Sequence, residues 1–232
     1  MEKPQPELSL IIPAYNEAEV IKATLGAINE AIASEFVEIL VVCNGCTDNT
    51  AEIAKKAGAN VLTISDKGAA KASNFGAKRA TTDTLLFLDA DTIIAKNLLQ
   101  KVREAVANNY IGGRTVVKWE GKGIMPRLFS LVSYVHPYKY GGFCFVDKSV
   151  FESIGGYKEG TYGFDFDLGK RVSRHGKTVF IRDSHVLTSS RRFEDEGWLR
   201  HMWLATKRYC IDHIVRGKGV KQYSEIEYKD IR

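Results

Sequence analysis

Four short apolar runs constrain this 232-residue chain more than any other feature. They are Leu8–Ile12, Val37–Val42, Val61–Ile64 and Leu85–Leu88. Stretches with helical spacing separate them. One stretch spans roughly 17–33, with Val20, Ile21, Leu25 and Ile28 apolar. A second starts at Thr47 or Asp48 and stops at Gly58, and a third spans about 70–80. Short apolar runs bounded by turn residues read as buried strands. Strands alternating with helices imply a parallel sheet covered on both faces. Ligands of such sheets bind beyond the carboxyl ends of the strands. Those ends are Ala14–Glu17, Cys43–Asp48, Ser65–Lys71 and Asp89–Asp91, all polar or small, so one crevice collects them.

Asp89-Ala90-Asp91 is the most chemically pointed of the four ends. Residues two apart in an extended segment face the same way. Two carboxylates so close repel and need a counter-charge, and a hard divalent cation carrying phosphate oxygens supplies one. Two solvated acids at a strand end are the plainer alternative.

The second half is less regular. A helix is expected over 96–109 and a strand over 114–119. An apolar, aromatic stretch covers 124–138, and a further strand follows at 141–146. Gly155-Gly156-Tyr157 reads as a turn, 165–175 as a helix and 178–182 as a strand, with His185 after it. With no linker or repeat, 1–197 is expected to be one domain. Residues 198–232 form an appended helical tail whose apolar positions fall at helical spacing between basic ones.

Composition narrows the class. With 44% hydrophobic residues the chain can bury a substantial core, which excludes disordered and collagen-like chains. No run approaches the roughly 20 apolar residues of a membrane span. The start, MEKPQPE, lacks the apolar segment of a signal peptide. Four irregularly spaced cysteines do not form a secreted disulfide framework, so a cytoplasmic chain with reduced thiols is expected. The net charge of +5 is uneven: residues 1–110 carry −3 and 111–232 carry +8. A basic second half suits a pyrophosphate, a phospholipid surface or nucleic acid, or is simply a solvated surface.

Six motifs occur in a fixed order. They are Ser9–Glu17 (SLIIPAYNE), Val41–Thr50 (VVCNGCTDNT), Asn74–Ala77 (NFGA), Leu86–Asp91 (LFLDAD), Gly155–Tyr157 (GGY) and Asp165–Leu168 (DFDL) with Arg171. Together they resemble the family 2 glycosyltransferases, from about residue 8 to 192. The resemblance implies an α/β GT-A-like fold, with a Rossmann-related, mostly parallel central sheet flanked by helices. It implies a metal-dependent, inverting transferase that moves one sugar from a UDP- or GDP-sugar to a hydroxyl or lipid-phosphate acceptor, with Mn²⁺ or Mg²⁺ as cofactor. The implied partners are the donor, a glycan or lipid-linked acceptor and an anionic membrane surface on the inner face, without nucleic acid. The processive members' Gln-x-x-Arg-Trp pattern is absent, which implies single transfer.

The family's site residues carry over to matching positions. Asp91 becomes a metal ligand, and Asp89 contacts ribose or metal beside Ala90. Pro13, Ala14, Tyr15 and Glu17 line one side of the base and ribose. Asn44 stands where the family often has an acid, so uracil fits and other bases stay open. Asp165 is the candidate base, although the acid that usually precedes it is Phe164 here. Lys67, Lys71, Arg191 and Arg192 suit phosphate contacts. His185 matches a further metal ligand of some relatives. Gly142, Phe143, Gly156 and Tyr157 frame the acceptor. Two other readings stand beside this one: a thiol redox protein built on Cys43-x-x-Cys46, and a non-catalytic nucleotide-sugar binder.

Overall fold

The fold comes from a computed structural model, which describes residues 7–32, 37–121, 123–135, 142–160 and 164–197. The tail expected over 198–232 lies outside them, as does Gly141. Strands β1 (Leu8–Ala14), β2 (Val37–Asn44), β3 (Asn60–Ile64) and β4 (Thr84–Leu88) lie mutually parallel. Helices α1 (Ile21–Ile32), α2 (Thr50–Lys56) and α3 (Ala69–Arg79) connect them. The nucleotide-side half therefore has the alternation its apolar runs imply.

The remaining elements are β5 (Thr92–Ile94), α4 (Leu98–Ala107), β6 (Gly112–Trp119), α5 (Ile124–Val135), β7 (Phe143–Asp147), α6 (Lys148–Ser153), α7 (Phe164–Val172), β8 (Thr178–Thr188) and α8 (Arg191–Glu196). One eight-stranded sheet runs β3-β2-β1-β4-β7-β6-β8-β5. It is mixed, because β7 is antiparallel to β4 and β6, and β5 is antiparallel to β8.

Alternate residues of the central strands supply two cores. Leu10, Ile12, Leu86 and Leu88 pack with Ile21, Leu25, Leu98 and Val102 on one face. Ile11, Leu85 and Phe87 pack with Ala72, Phe151, Tyr157 and Leu168 on the other. Leu10, Ile12 and Leu86 are fully buried, and truncating any one to Ala costs about 2–5 kcal/mol. Gly76 is needed where α3 crosses β1, because a Cβ there would lie 2.6 Å from Ile11 Cγ2.

Two readings of the second half change. The strand expected at 178–182 continues to Thr188, so His185 lies within β8 rather than after it. Its register with β6 jumps from Thr115–Ile181 to Val116–His185, and that bulge hides the strand's length from sequence. The aromatic stretch after 124 is a helix. β6 pairs with β7 only as far as Arg114. Beyond that point the Val117 and Trp119 N–H groups donate to Ser133 Oγ and Ser130 Oγ of α5, at 2.9 and 3.0 Å. Among the described residues no helix is long and apolar enough to cross a membrane.

Candidate active site

The carboxyl ends of β1 and β2 are laced together. Asn16 has φ 54° and its Oδ1 accepts from the Thr47 N–H at 2.8 Å. The Glu17 N–H donates to Thr50 Oγ1 at 2.8 Å and the Ala18 N–H to Asp48 Oδ2 at 3.1 Å. The helix expected from about 17 is regular only from Ile21, after a turn in which the Val20 and Ile21 N–H groups both donate to the Glu17 carbonyl, at 3.1 and 2.9 Å. Burial pushes the Asp48 carboxyl up, but donors from Thr50 and Ala18 prevail and hold it below the ordinary value. Asn44 is buried. Its Nδ2 donates to the Ala14 carbonyl at 3.0 Å, and its Oδ1 accepts from the Gly68 N–H at 3.4 Å. Its amide thus ties two loops together where a base contact is expected. Lys67 Nζ stands 4.7 Å from the centroid of the Tyr15 ring, and Lys71 pairs with Asp66 at 3.1 Å.

The acidic turn after β4 is held from three sides. The Asp89 N–H donates to the Gly142 carbonyl at 3.2 Å. Thr24 Oγ1 donates to the Ala90 carbonyl at 2.7 Å, and the Ser189 N–H to the Asp91 carbonyl at 3.3 Å. Ala90 is buried, Asp91 half-buried and Asp89 exposed. Arg191 reaches across from α8, with Nη2 at 2.9 Å from Glu17 Oε2 and 3.9 Å from Asp91 Oδ2. The Arg192 side chain is outside the described residues.

A small cleft beside this turn gathers residues from all three expected groups. Pro13 and Asp89 come from the nucleotide side, and Gly142, Phe143 and Tyr157 from the acceptor side. The candidate base Asp165 lines the same cleft, with Ser73 and Cys144. Burial pushes the Asp165 carboxyl up, while the Arg114 charge and a hydrogen bond with Tyr157 draw it back only partly.

Asp167, one turn-face away, has a different task. It pairs with Arg171 at 2.7 Å, and Arg171 Nη1 and Nη2 donate to the carbonyls of Ile154 and Gly156 at 2.9 and 2.7 Å. That network fixes the glycine turn carrying Tyr157.

The metal question turns on Asp89 and Asp91. Among the described residues no three His, Cys, Asp or Glu side chains converge on a metal position. Two carboxylates fit a Mg²⁺ or Mn²⁺ whose other ligands are diphosphate oxygens and water. His185 is not brought to this pair. It sits opposite Ala95, four residues along β8 from Ser189, or roughly 13 Å at about 3.3 Å per residue. Burial, then Lys118, lowers the His185 pKa.

Several residues at the site carry no sequence signal of their own. Thr24 and Ser73 reach it only through tertiary packing. The Asp167–Arg171 pair could be read from its i, i+4 spacing, but its target turn could not. The described cysteines are free thiols. Cys43 is buried on β2, and Cys46 Sγ donates to the Ala14 carbonyl at 3.3 Å.

Residues 9–158 match the model of the family described as Glycosyl transferase family 2. A 92-residue stretch is 37% identical to poly-beta-1,6-N-acetyl-D-glucosamine synthase of Staphylococcus aureus, covering 38% of this chain and 22% of that protein. The match therefore spans about a fifth of that relative. The fold superposes on mannosyltransferase PcManGT from Pyrobaculum calidifontis, solved with GDP-Man and Mn²⁺. There the TM-score is 0.70 at 20% identity, over 94% of this chain and 66% of that one. TarS of S. aureus, solved with UDP-GlcNAc, gives a TM-score of 0.65 at 19% identity, over 79% and 58%. The two likenesses establish a shared GT-A architecture. With two thirds of its length under the family model and the acidic turn at the head of the cleft, this chain belongs to glycosyltransferase family 2.

Proposed function

We propose that the chain transfers a single sugar, with inversion, from a UDP- or GDP-sugar to a hydroxyl or lipid-phosphate acceptor. The observation that carries this reading is the shared cleft, which Asp89 of the acidic turn and Asp165 both line. The acceptor oxygen attacks the anomeric carbon, the bond to the diphosphate breaks, and the nucleotide diphosphate leaves with the electron pair. Asp165 accepts the proton released by the acceptor.

A divalent ion held by Asp89 and Asp91 would neutralise the leaving diphosphate as a Lewis acid. PcManGT and its Mn²⁺ support that assignment by similarity. Tyr15, Glu17 and Lys67 surround the position for base and ribose, and Arg191 that for the diphosphate. Gly142, Phe143 and Tyr157 form the acceptor side. The +8 balance of residues 111–232 and the amphipathic pattern after 198 support an anionic lipid surface as a partner.

The test is nucleotide release from UDP-GlcNAc and GDP-mannose, each with Mn²⁺ and with chelator, alongside thermal shifts with UDP and GDP. Mn²⁺-dependent release from one donor is expected. Tight nucleotide binding without release from any donor would instead make the chain a nucleotide-sugar binder.

A further inference from the structure

Arg114 is an arginine buried to 7% exposure in the middle of the sheet, and its Nη2 finds no hydrogen-bond partner among the described residues. A buried guanidinium is costly unless a counter-charge compensates it. Its surroundings identify that counter-charge.

Arg114 is the register partner of Cys144 on β7, so both side chains project from the same face of the sheet. Cys144 Sγ lies 3.3 Å from Tyr157 Oη, and Cys144, Tyr157 and Asp165 line the same cleft. From above, α7 closes the same space. A Cβ on Gly169 would lie 3.1 Å from Arg114 Nη2 and 3.4 Å from Nε, so the guanidinium rests against the helix where a glycine makes room. Asp165 is four residues earlier on α7, on that same helical face. Beyond the guanidinium is a cavity of about 40 Å³ walled mainly by apolar side chains, among them Leu168, Val172 and Val179. It offers no rival anion.

We propose that Arg114 is a positioning residue whose buried charge keeps the Asp165 carboxylate charged where it lines the cleft. The proposal rests on the transferase reading with Asp165 as base. Arg114 acts from behind the base and does not line the cleft, so it touches neither donor nor acceptor. It supplies the support that the preceding acid, replaced here by Phe164, does not provide. The direction of the Asp165 shift agrees: burial raises it and the Arg114 charge opposes that rise.

The experiment measures nucleotide release from UDP-GlcNAc and GDP-mannose with Mn²⁺, for wild type, Arg114→Lys, Arg114→Met, Asp165→Asn and the Arg114→Met/Asp165→Asn pair. Arg114→Met is expected to lower kcat at least tenfold with donor KM within about threefold. Arg114→Lys restores most of kcat, and the double variant is no worse than Asp165→Asn alone. If Arg114→Met melts too early to assay, Gly169→Ala displaces the guanidinium with its charge intact and is expected to lower kcat in the same way. Unchanged kcat in folded Arg114→Met or Gly169→Ala, beside an impaired Asp165→Asn, overturns the proposal and leaves the base assignment standing. So does a loss that multiplies with that of Asp165→Asn. Wild-type turnover in Asp165→Asn overturns the base assignment itself, and this proposal with it.

Discussion

Asn74 grips the backbone of Tyr157 with both ends of its amide: Nδ2 donates to the carbonyl at 2.9 Å, and Oδ1 accepts from the N–H at 2.8 Å. One side chain of α3 thereby fixes the turn on which Tyr157, proposed for the acceptor side, stands. Asn74 belongs to a motif in the nucleotide half and Tyr157 to one 83 positions later. The clamp couples the two.

Asn74→Ala leaves a part-buried N–H and carbonyl unpaired, at about 2 kcal/mol. For a domain of this size that lowers the melting temperature by about 4–8 °C. Gly156→Ala is expected to be worse. Its φ is +65° and the new Cβ would lie 2.6 Å from Asn74 Oδ1, so backbone strain and loss of the clamp combine. Differential scanning calorimetry of both variants checks the order. Equal melting temperatures for Asn74→Ala and wild type would mean that Arg171 alone holds the turn.

The thiols separate by environment. The neighbouring Cys46 sulfur, then burial, pushes the Cys43 thiol far up. The same contact brings Cys46 down to about 6. Reactivity follows the thiolate. At pH 7.5 iodoacetamide is therefore expected to label Cys46 and spare Cys43, as read by peptide mass spectrometry. The Cys43→Ser/Cys46→Ser double variant should keep nucleotide release within about an order of magnitude, because both are assigned to loop packing. Abolished release that the wild type recovers with reductant would revive the redox reading.

The first half is legible in sequence because β1 and β4 are buried almost throughout and read as unbroken apolar runs between stretches of helical spacing. The second half is not, and the reasons are local. β5 has three residues, too few to show a period. The polar run Arg182-Asp183-Ser184-His185 reads as a strand end, yet it is a bulge within β8. α5 contains Pro126 and a run of aromatic and aliphatic residues without clear polarity. At the site, the acidic turn and Asp165 are visible because their chemistry is local. Asn44 shows the limit: its amide is committed to Ala14 and Gly68, a fact that only the folded loops contain.

With Asp165 as the proposed base, its carboxyl is expected to set the pH dependence. Burial raises its carboxyl above the ordinary carboxylate range, and Arg114 and Tyr157 only partly oppose that. A base works deprotonated, so activity rises with pH through this elevated value, and the acid limb of kcat lies above the usual carboxylate region. Asp165→Asn should lower kcat by roughly 10²-fold and erase the limb, while UDP or GDP binding is kept. A limb that persists in the variant would assign it to another group. Asp167 is the poorer substitute, because its carboxylate is already engaged by Arg171 and Lys158.

Arg191 and Asp91 make opposite demands on the nucleotide, and calorimetry can separate them. In the structure the guanidinium lies 2.9 Å from Glu17 Oε2 and 3.9 Å from Asp91 Oδ2. A diphosphate entering beside the acidic turn adds negative charge to three carboxylates, since Glu19 is also within 3.8 Å of Arg191. Binding therefore depends on cations from both sources. A divalent ion offsets Asp91 and the phosphates directly, whereas Arg191 exchanges carboxylate for phosphate partners. Arg191→Ala should weaken UDP or GDP by about tenfold or more, the scale of a lost charge-assisted hydrogen bond. It should do so with Mn²⁺ and with chelator alike, because the metal ligands remain. Asp91→Ala should behave in the reverse manner: the gain from Mn²⁺ disappears, while affinity in chelator stays level or improves as one repelling carboxylate is removed. Undiminished Mn²⁺ enhancement in Asp91→Ala would take the metal away from the acidic turn. Unchanged nucleotide affinity in Arg191→Ala would reduce its contacts with Glu17 and Asp91 to a surface ion pair.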